Sequence, residues 1–559
     1  MTSRDPDPGI GPWLPAGAVA LAALVCAVYV PVLANGFVWD DWTVVVGTRA
    51  HRPFSAEGLR WAFGASVAGH YHPLTWLSFT AGEMLFGTGP AAAHALNVAL
   101  HLLNTALVAL LGERLLRHAR DGWSARARAA AALLAAALFA LHPLRVESVA
   151  WATERRDVLS AAFVLGAVLA WVVRATSRRR LAWYVATLAL FGLALLSKAQ
   201  ATVPAVLLVL DVYPLRRLGG ATVAEKAKGL ARLAAEQVPL LLLAVAASAA
   251  ALRAQAASGA LIDLEAHPLA ARVAQAAYGL VFYLRATFAT VFSPLHERPV
   301  PLDWHEPRFL LSALAVLLLT AAVWWSRRRW PALAAAAAAY VLFLLPVLGF
   351  FQSGVQLVAE RYSYLACVGF ALIAAAGLAE LWHGWPSRAR RAGLAAGVGA
   401  FLAAWSLLSH RHVRVFHDDE TLWRTVAARG PSALATNNLG QMLAGRGAYG
   451  EATVLLARSL AIVPTYPRPW TALQSLLEAP PRVVPPETAR AILPALEAAA
   501  EAQPRSASAR YTLALARARV GDARGALTEF ERALQVDPRH PGALAGRKRL
   551  EIGEVPLLH

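Results

Sequence analysis

Apolar residues in this chain are gathered into long runs separated by short polar stretches, from Leu14–Leu33 to Leu394–Leu408. Runs of this kind predict helices that cross a bilayer, for which about 20 residues suffice. In order they are 14–33, 91–111, a run ending at His142, and a fourth that closes at Arg174. A hairpin of two runs follows, with Ser197, Lys198 and Gln200 at its tip, and then a seventh run at Val238–Leu252. Arg114, Arg117, Arg120, Arg126 and Arg128 close the second run; Arg178, Arg179 and Arg180 close the fourth, and Arg216 and Arg217 the sixth. Further clusters stand at Arg327–Arg329 and at Arg388, Arg390 and Arg391. Short basic loops face the cytoplasm. Counting 271–292 as a crossing would put Arg327–Arg329 outside, so this stretch is expected to be interfacial or partial. About eleven crossings remain.

Beyond His410 the apolar runs stop and a helical repeat begins. Leu439, Gly440, Ala452, Leu456 and Pro464 stand at the spacing of a 34-residue helix-turn-helix repeat, and Ala526, Phe530, Ala533 and Pro538 recur in phase. Prolines 480, 481, 485 and 486 mark an insertion. The pattern resembles tetratricopeptide repeats, about three of them. The expected organisation is a membrane domain over 1–409, a junction over 410–432 and repeats over 433–545. The fold class is all-α: a polytopic membrane helical bundle followed by an α-solenoid.

Composition agrees with this picture. The 559 residues are 57% hydrophobic and 16% charged, with a mean hydropathy of +0.47. The formal charge of +18 is read as topology, because the cations cluster between apolar runs, so no nucleic-acid partner is expected. Cys26 and Cys367 lie inside apolar runs and offer neither a disulfide framework nor a cysteine metal site. Arg4 precedes the first run and no small-residue cleavage pattern follows Leu33, which predicts a retained first helix.

The same topology puts the unusual polar residues on one side. Asp40, Asp41, Tyr71, His72, His142, Arg145, Glu147, Glu154, Arg155, Arg156, Asp157, Lys198, Glu360 and Arg361 fall at outer helix ends or in outer loops. Charge so close to a bilayer is costly, which marks Asp40 and Asp41 as functional candidates; capping of a following helix is the bland alternative. Carboxylates could act as general base or metal ligand, and the cations could hold a phosphate. Each has an ordinary reading too. His142-Pro143 is the pattern of a turn, Arg155 and Arg156 beside Asp157 could be surface ion pairs, and Lys198 could snorkel to headgroups. His94, Asn97, His101 and Asn104 recur at helical spacing inside the second run and are expected to hydrogen-bond between helices.

Several ordered motifs carry a resemblance: Phe-Val-Trp-Asp-Asp at Phe37, Tyr-His-Pro-Leu-Thr-Trp-Leu-Ser at Tyr71, Ala-Leu-Asn-Val-Ala-Leu-His at Ala95, the loop His142–Asp157, Leu-Leu-Ser-Lys at Leu195, Leu-Asp-Val-Tyr-Pro-Leu at Leu210, Ala-Glu-Arg-Tyr-Ser-Tyr-Leu at Ala359 and Glu420-Thr-Leu-Trp423. The chain resembles bacterial relatives of the transmembrane and tetratricopeptide repeat-containing O-mannosyltransferases, polytopic lipid-phosphate-sugar-dependent glycosyltransferases of the GT-C type. The resemblance implies transfer of mannose or a similar sugar from a polyprenyl-phosphate donor to a hydroxyl acceptor, with protein Ser or Thr as the expected acceptor. It places the chain in a bacterial inner membrane, in contact with membrane lipid, with the repeats on the periplasmic side receiving an acceptor or partner protein. Asp40 or Asp41 would be the catalytic base, with Asp41 preferred. Lys198 and Arg361 would neutralise the leaving phosphate, with Arg155 and Arg156 as further candidates. Tyr71, His72, Arg145, Asp157, Glu360 and Tyr362 complete the expected substrate-binding set. His142 and Glu147 would position the donor phosphate or a divalent cation, although one ligand from each is thin coordination for a metal. Glu360 stands where the family commonly has Asp. The competing reading is a membrane-anchored repeat scaffold without activity, and convergence of the acidic and basic residues on one cavity separates the two.

Overall fold

The computed structural model describes residues 13–51, 53–219, 222–259, 262–288, 292–350 and 354–552; Arg4 lies outside them. The chain forms two compact units, Met1–Asp418 and Asp419–His559. The residues 410–418, expected in a junction, belong to the first unit: Asn35 Nδ2 donates to Val413 O at 2.9 Å and Gly36 N to His417 O at 2.8 Å.

The first unit is built from α1 (Trp13–Tyr29), α2 (Ala56–Gly64), α3 (Pro73–Phe86), α4 (Pro90–Ala119), α5 (Ala125–Ala140), α6 (Val146–Ala150), α7 (Arg155–Arg174) and α8 (Arg180–Ser197). It continues through α9 (Val203–Val212), α10 (Val223–Ala257), α11 (Leu269–Phe288), α12 (Pro307–Ser326), α13 (Pro331–Leu344), α14 (Ser363–Ala366), α15 (Val368–Gly384) and α16 (Arg388–Val413). A short antiparallel pair, β1 (His296–Glu297) and β2 (Gln356–Val358), is the sheet among the described residues. Helix starts follow local chemistry. Pro73, Pro90, Pro307 and Pro331 occupy first turns, where the missing N–H costs nothing. Thr222 and Glu225 form a capping box for α10.

Among the described residues, seven helical segments are long and apolar enough to cross a membrane, and nine if each of two bent pairs counts once. The bends are 64° between Ala125–Ala140 and Pro143–Ala150, and 59° between Glu360–Ala366 and Val368–Gly384. The shorter apolar helices Val203–Val212 and Pro331–Val347 fill the other two of the eleven expected positions. At 1.5 Å per residue α9 is only about 15 Å long, roughly half a hydrocarbon core of ~30 Å. The doubtful stretch 271–292 is largely α11, which does not reach the apolarity of a span. Arg272 explains why: it is buried on α11 and donates to the carbonyls of His267, Ile262 and Asp263 at 2.7–3.0 Å, tying down the preceding loop.

The two bends free backbone groups that lipid cannot satisfy. The polar stripe of α4 meets the first of them. Asn97 Nδ2 donates to Trp151 O at 3.1 Å, Asn104 Nδ2 to Val158 O at 2.9 Å, and His101 Nε2 lies 3.1 Å from Ala140 O. Asn104 Nδ2 also reaches Tyr364 Oη at 3.0 Å, and His101 Nδ1 lies 2.7 Å from that oxygen. One helix face thereby clamps both broken pairs. These residues hold the broken segments in place.

At the opposite ends of α7 and α9 a second polar network joins them to α10. Asp211 Oδ1 accepts from Trp171 Nε1 at 3.0 Å and Arg217 Nη1 at 2.8 Å, while Glu236 takes Arg217 and Arg174, each at 2.8 Å. Asp211→Ala leaves the buried Trp171 indole N–H without its acceptor and Arg217 with Glu236 alone. It is expected to lower stability by about 2–3 kcal/mol, read as a fall in melting temperature of the detergent-purified protein.

The second unit is entirely helical over its described residues: α17 (Asp419–Arg429), α18 (Ala433–Gly445), α19 (Tyr449–Ile462), α20 (Arg468–Glu478), α21 (Pro486–Ala502), α22 (Ala507–Arg519), α23 (Ala523–Val536) and α24 (Pro541–Glu551). Neighbouring helices pack in pairs, α18 on α19, α21 on α22 and α22 on α23. The in-phase residues Leu439, Ala452, Leu456, Ala526, Phe530 and Ala533 are buried between them. A Cβ at Gly440 would lie 2.9 Å from Leu456 Cγ, so that helix crossing needs glycine. Pro464, Pro504 and Pro538 each follow the end of a helix.

Candidate active site

Breaking α5–α6 and α14–α15 short of full spans puts loop and helix-end side chains together at one end of the bundle. Arg361, on the turn before α14, is the centre. Its Nη1 pairs with Glu147 Oε1, its backbone N–H donates to Glu147 Oε2 at 2.8 Å, and its Nε lies 3.3 Å from Glu154 Oε1. Glu154 in turn binds Arg156 through both oxygens, at 3.0 and 2.5 Å. Lys198, at the end of α8, pairs with Asp157 Oδ1, and Ser148 Oγ donates to Asp157 Oδ2 at 3.4 Å. The Tyr362 ring lies under both cations, 5.6 Å from Lys198 Nζ and 5.0 Å from Arg361 Cζ. Three carboxylates and three cations thus balance in a water-poor site. Asp157, Lys198, Gln200, Arg361 and Tyr362 line a cavity of about 40 Å³ there.

The first loop docks onto this cluster through two contacts. The Trp39 ring stacks on Trp151 at 4.8 Å and 12°, and the Arg361 guanidinium lies 5.5 Å from the Trp151 ring. Asp41 is fully buried and its two oxygens accept three hydrogen bonds: from Val38 N at 3.0 Å, Thr153 N at 2.7 Å and Thr153 Oγ1 at 2.6 Å. Thr153 precedes Glu154, so Asp41 fixes the loop against the ionic cluster. Asp40, its neighbour, is half-buried.

Burial lifts the Asp41 carboxyl from an ordinary 3.8 to about 7, against the lowering effect of its three donors. A carboxyl raised in the folded state favours folding through its bound proton. That contribution is complete below the unfolded value and is lost as pH rises from about 4 through about 7. At about 1.4 kcal/mol per unit the loss is on the order of a few kcal/mol. Melting temperatures of wild type and Asp41→Asn across pH 4–8 should diverge in this direction, and parallel curves would contradict it.

His70 and His72 stack on each other at 5.2 Å and 11°. Burial, then the positive Arg156, holds His70 down to about 3. His72 is lowered as well, by burial and by His70. Both imidazoles are therefore neutral at physiological pH. Lys198, Glu154 and Arg156 act electrostatically on both rings, which places this pair beside the cluster.

The expected set divides. Glu147, Arg156, Asp157, Lys198, Arg361 and Tyr362 come together, with His72 beside them. Glu154, already marked among the outer polar residues, joins them, as do Trp39, Trp151, Thr153 and His70, which the loop patterns alone do not distinguish from their neighbours. Five others take other partners. Tyr71 Oη donates to Phe63 O at 3.1 Å, back onto α2. Arg155 spans α3 and α4, pairing with Asn97 Oδ1 and donating to Ala93 O at 2.7 Å and Ser78 O at 3.3 Å. Glu360 Oε1 accepts from Ser293 N at 2.9 Å, tying its carboxylate to the backbone beside the cluster. His142 accepts from Leu144 N at 3.0 Å through Nδ1, lies 3.2 Å from Thr287 O through Nε2 and packs on Trp405 at 4.1 Å, as a turn residue does. Arg145 lies between the Phe139 and Tyr364 rings. The pairing of His142 with Glu147 around a cation is therefore not formed, and no group of three His, Cys, Asp or Glu among the described residues is arranged to hold a metal ion.

No family model matches the chain. In sequence it is similar to the protein O-mannosyl-transferase TMTC1 of Mus musculus, 34% identical over 181 residues, which is 30% of this chain and 18% of the relative. TMTC2 of Mus musculus is 30% identical over 215 residues, covering 35% of this chain and 24% of the relative. The matched part thus spans under a quarter of either relative. Among solved structures, the Archaeoglobus fulgidus oligosaccharyltransferase aligns over 77% of this chain and 58% of its own, with 14% identity and a TM-score of 0.38. ArnT from Cupriavidus metallidurans bound to undecaprenyl phosphate aligns over 97% and 78%, with 15% identity and a TM-score of 0.34. At these scores the structural likenesses bear no weight on the site. Over about a third of its length, the chain is a multi-helix membrane protein similar in sequence to the protein O-mannosyl-transferases.

Proposed function

We propose that the first unit is a GT-C glycosyltransferase that moves a sugar, mannose or a close relative, from a polyprenyl-phosphate donor to a hydroxyl acceptor. One observation carries the reading: six ionic side chains from four separate segments, Glu147, Glu154, Arg156, Asp157, Lys198 and Arg361, gather in a single buried cluster on which the Asp40–Asp41 loop docks. A bare scaffold has no use for six buried charges, each costly to desolvate. Asp40 is the base, because it is half-buried and so the more accessible of the pair, whereas Asp41 is fully buried against Thr153 and Val38. Asp40 takes the acceptor hydroxyl proton as that oxygen bonds to the anomeric carbon. The bond from that carbon to the lipid phosphate breaks, and its electron pair leaves with the phosphate.

Lys198 is the cation best placed to receive that charge. Its side chain is 19% exposed, against 8–10% for Arg361 and Arg156, and it lines the cavity. An incoming phosphate takes Lys198 from Asp157 and leaves the paired arginines in place. By the distribution of basic loops this end is non-cytoplasmic, the periplasmic side of a bacterial inner membrane. The second unit is a tetratricopeptide-repeat solenoid on the same side, presenting the acceptor or a partner protein. Lys198→Ala should raise KM for a polyprenyl-phosphate-mannose donor roughly tenfold to a hundredfold, with a smaller change in kcat. An unchanged donor KM would remove Lys198 from phosphate binding.

A further inference from the structure

A second, larger cavity lies away from the ionic cluster. It has a volume of about 680 Å³, is bounded by α5, α11, α15 and α16, and shares no lining residue with the smaller one. Along α16 its wall is formed by Arg390, Gly393, Gly397, Phe401 and Trp405, one helical face. From Arg390 to Trp405 that face runs roughly 22 Å, most of a ~30 Å hydrocarbon core. Ala371 and Ala374 of α15 face it, and nothing lies within 4 Å of a Cβ built at Gly393 or Gly397. This is a groove long and smooth enough for an extended hydrocarbon chain.

At one end sits Arg145, 1% exposed, with Nε and Nη1 lacking any hydrogen-bond partner among the described residues. Its guanidinium lies over the rings of Phe139 at 5.5 Å and Tyr364 at 5.6 Å and beside the neutral Cys367 thiol. A buried guanidinium without an anion is expensive, whereas the three cations of the ionic cluster each have a carboxylate. The missing partner must be negative and must have an apolar tail to fill the groove.

We propose that this groove binds one anionic phospholipid, its phosphate on Arg145 and one acyl chain along α16. It is a second lipid site, separate from the donor cavity, and it stands whether or not the first unit transfers sugar. The test is native mass spectrometry of the full-length protein in detergent, titrated with phosphatidylglycerol or phosphatidylcholine. Wild type should retain one phosphatidylglycerol with a preference of roughly tenfold or more, the effect of one charge-assisted contact. Arg145→Gln should abolish the preference. Gly393→Leu with Gly397→Leu, which fills open space and so preserves the fold, should remove retention of both lipids. Retention unchanged in the double-leucine variant would overturn the site. So would one-for-one displacement of phosphatidylglycerol by an equimolar polyprenyl phosphate, which would give the groove to the donor's carrier.

Discussion

Asp40→Asn is expected to lower sugar transfer by about 10²–10⁴-fold, the usual yield of a general base, while the protein purifies and melts as wild type does. The asparagine is isosteric and Asp40 is half-buried, so little packing is disturbed. Asp41→Asn should behave differently. It turns an acceptor into a donor facing either Val38 N or the Thr153 groups, at about 1–3 kcal/mol, and loosens the loop on which Asp40 stands. Its transfer should fall with its stability and recover in part at lower temperature. Asp40→Asn should not recover. Melting curves and initial rates of the two variants separate these outcomes, and full activity in Asp40→Asn would return the role to Asp41.

Arg361→Met should be the most damaging single change to the fold. The guanidinium joins Glu147 and Glu154 and lies over Trp151 and Tyr362. Removing it leaves the buried Glu147 uncompensated and Glu154 with Arg156 alone, a loss of about 3–5 kcal/mol. Arg361→Lys should recover only part, because a point charge cannot bridge both acids as a planar fork does. The check is melting temperature in detergent; an unchanged value for Arg361→Met would mean that the cluster is not held by this residue.

Much of the architecture is written in hydropathy, because a bilayer demands long apolar helices and a repeat demands small residues in phase. The break between α5 and α6 and the shortness of α9 are less visible, since a run interrupted by His-Pro has the same mean hydropathy as a straight span. Polar residues in the loop 142–157 mark a site, but hydropathy does not say which way each points. Arg155 and Arg156 are adjacent in sequence yet serve α4 and Glu154 respectively, a choice made by the helical turn at the start of α7. Asp40 and Asp41 differ in the same way: only tertiary contact with Thr153 separates the fully buried carboxyl from its half-buried neighbour. Trp39, at a positive φ of 51°, turns its ring onto Trp151, and no local pattern announces that stack.

The most direct measurement is transfer by the purified wild-type protein from radiolabelled polyprenyl-phosphate mannose to a serine- and threonine-containing peptide, beside nucleotide-activated mannose at equal concentration. The lipid-linked donor should label the peptide and the nucleotide sugar should not. Labelling from the nucleotide sugar alone would contradict the assignment of the buried cations to a lipid phosphate.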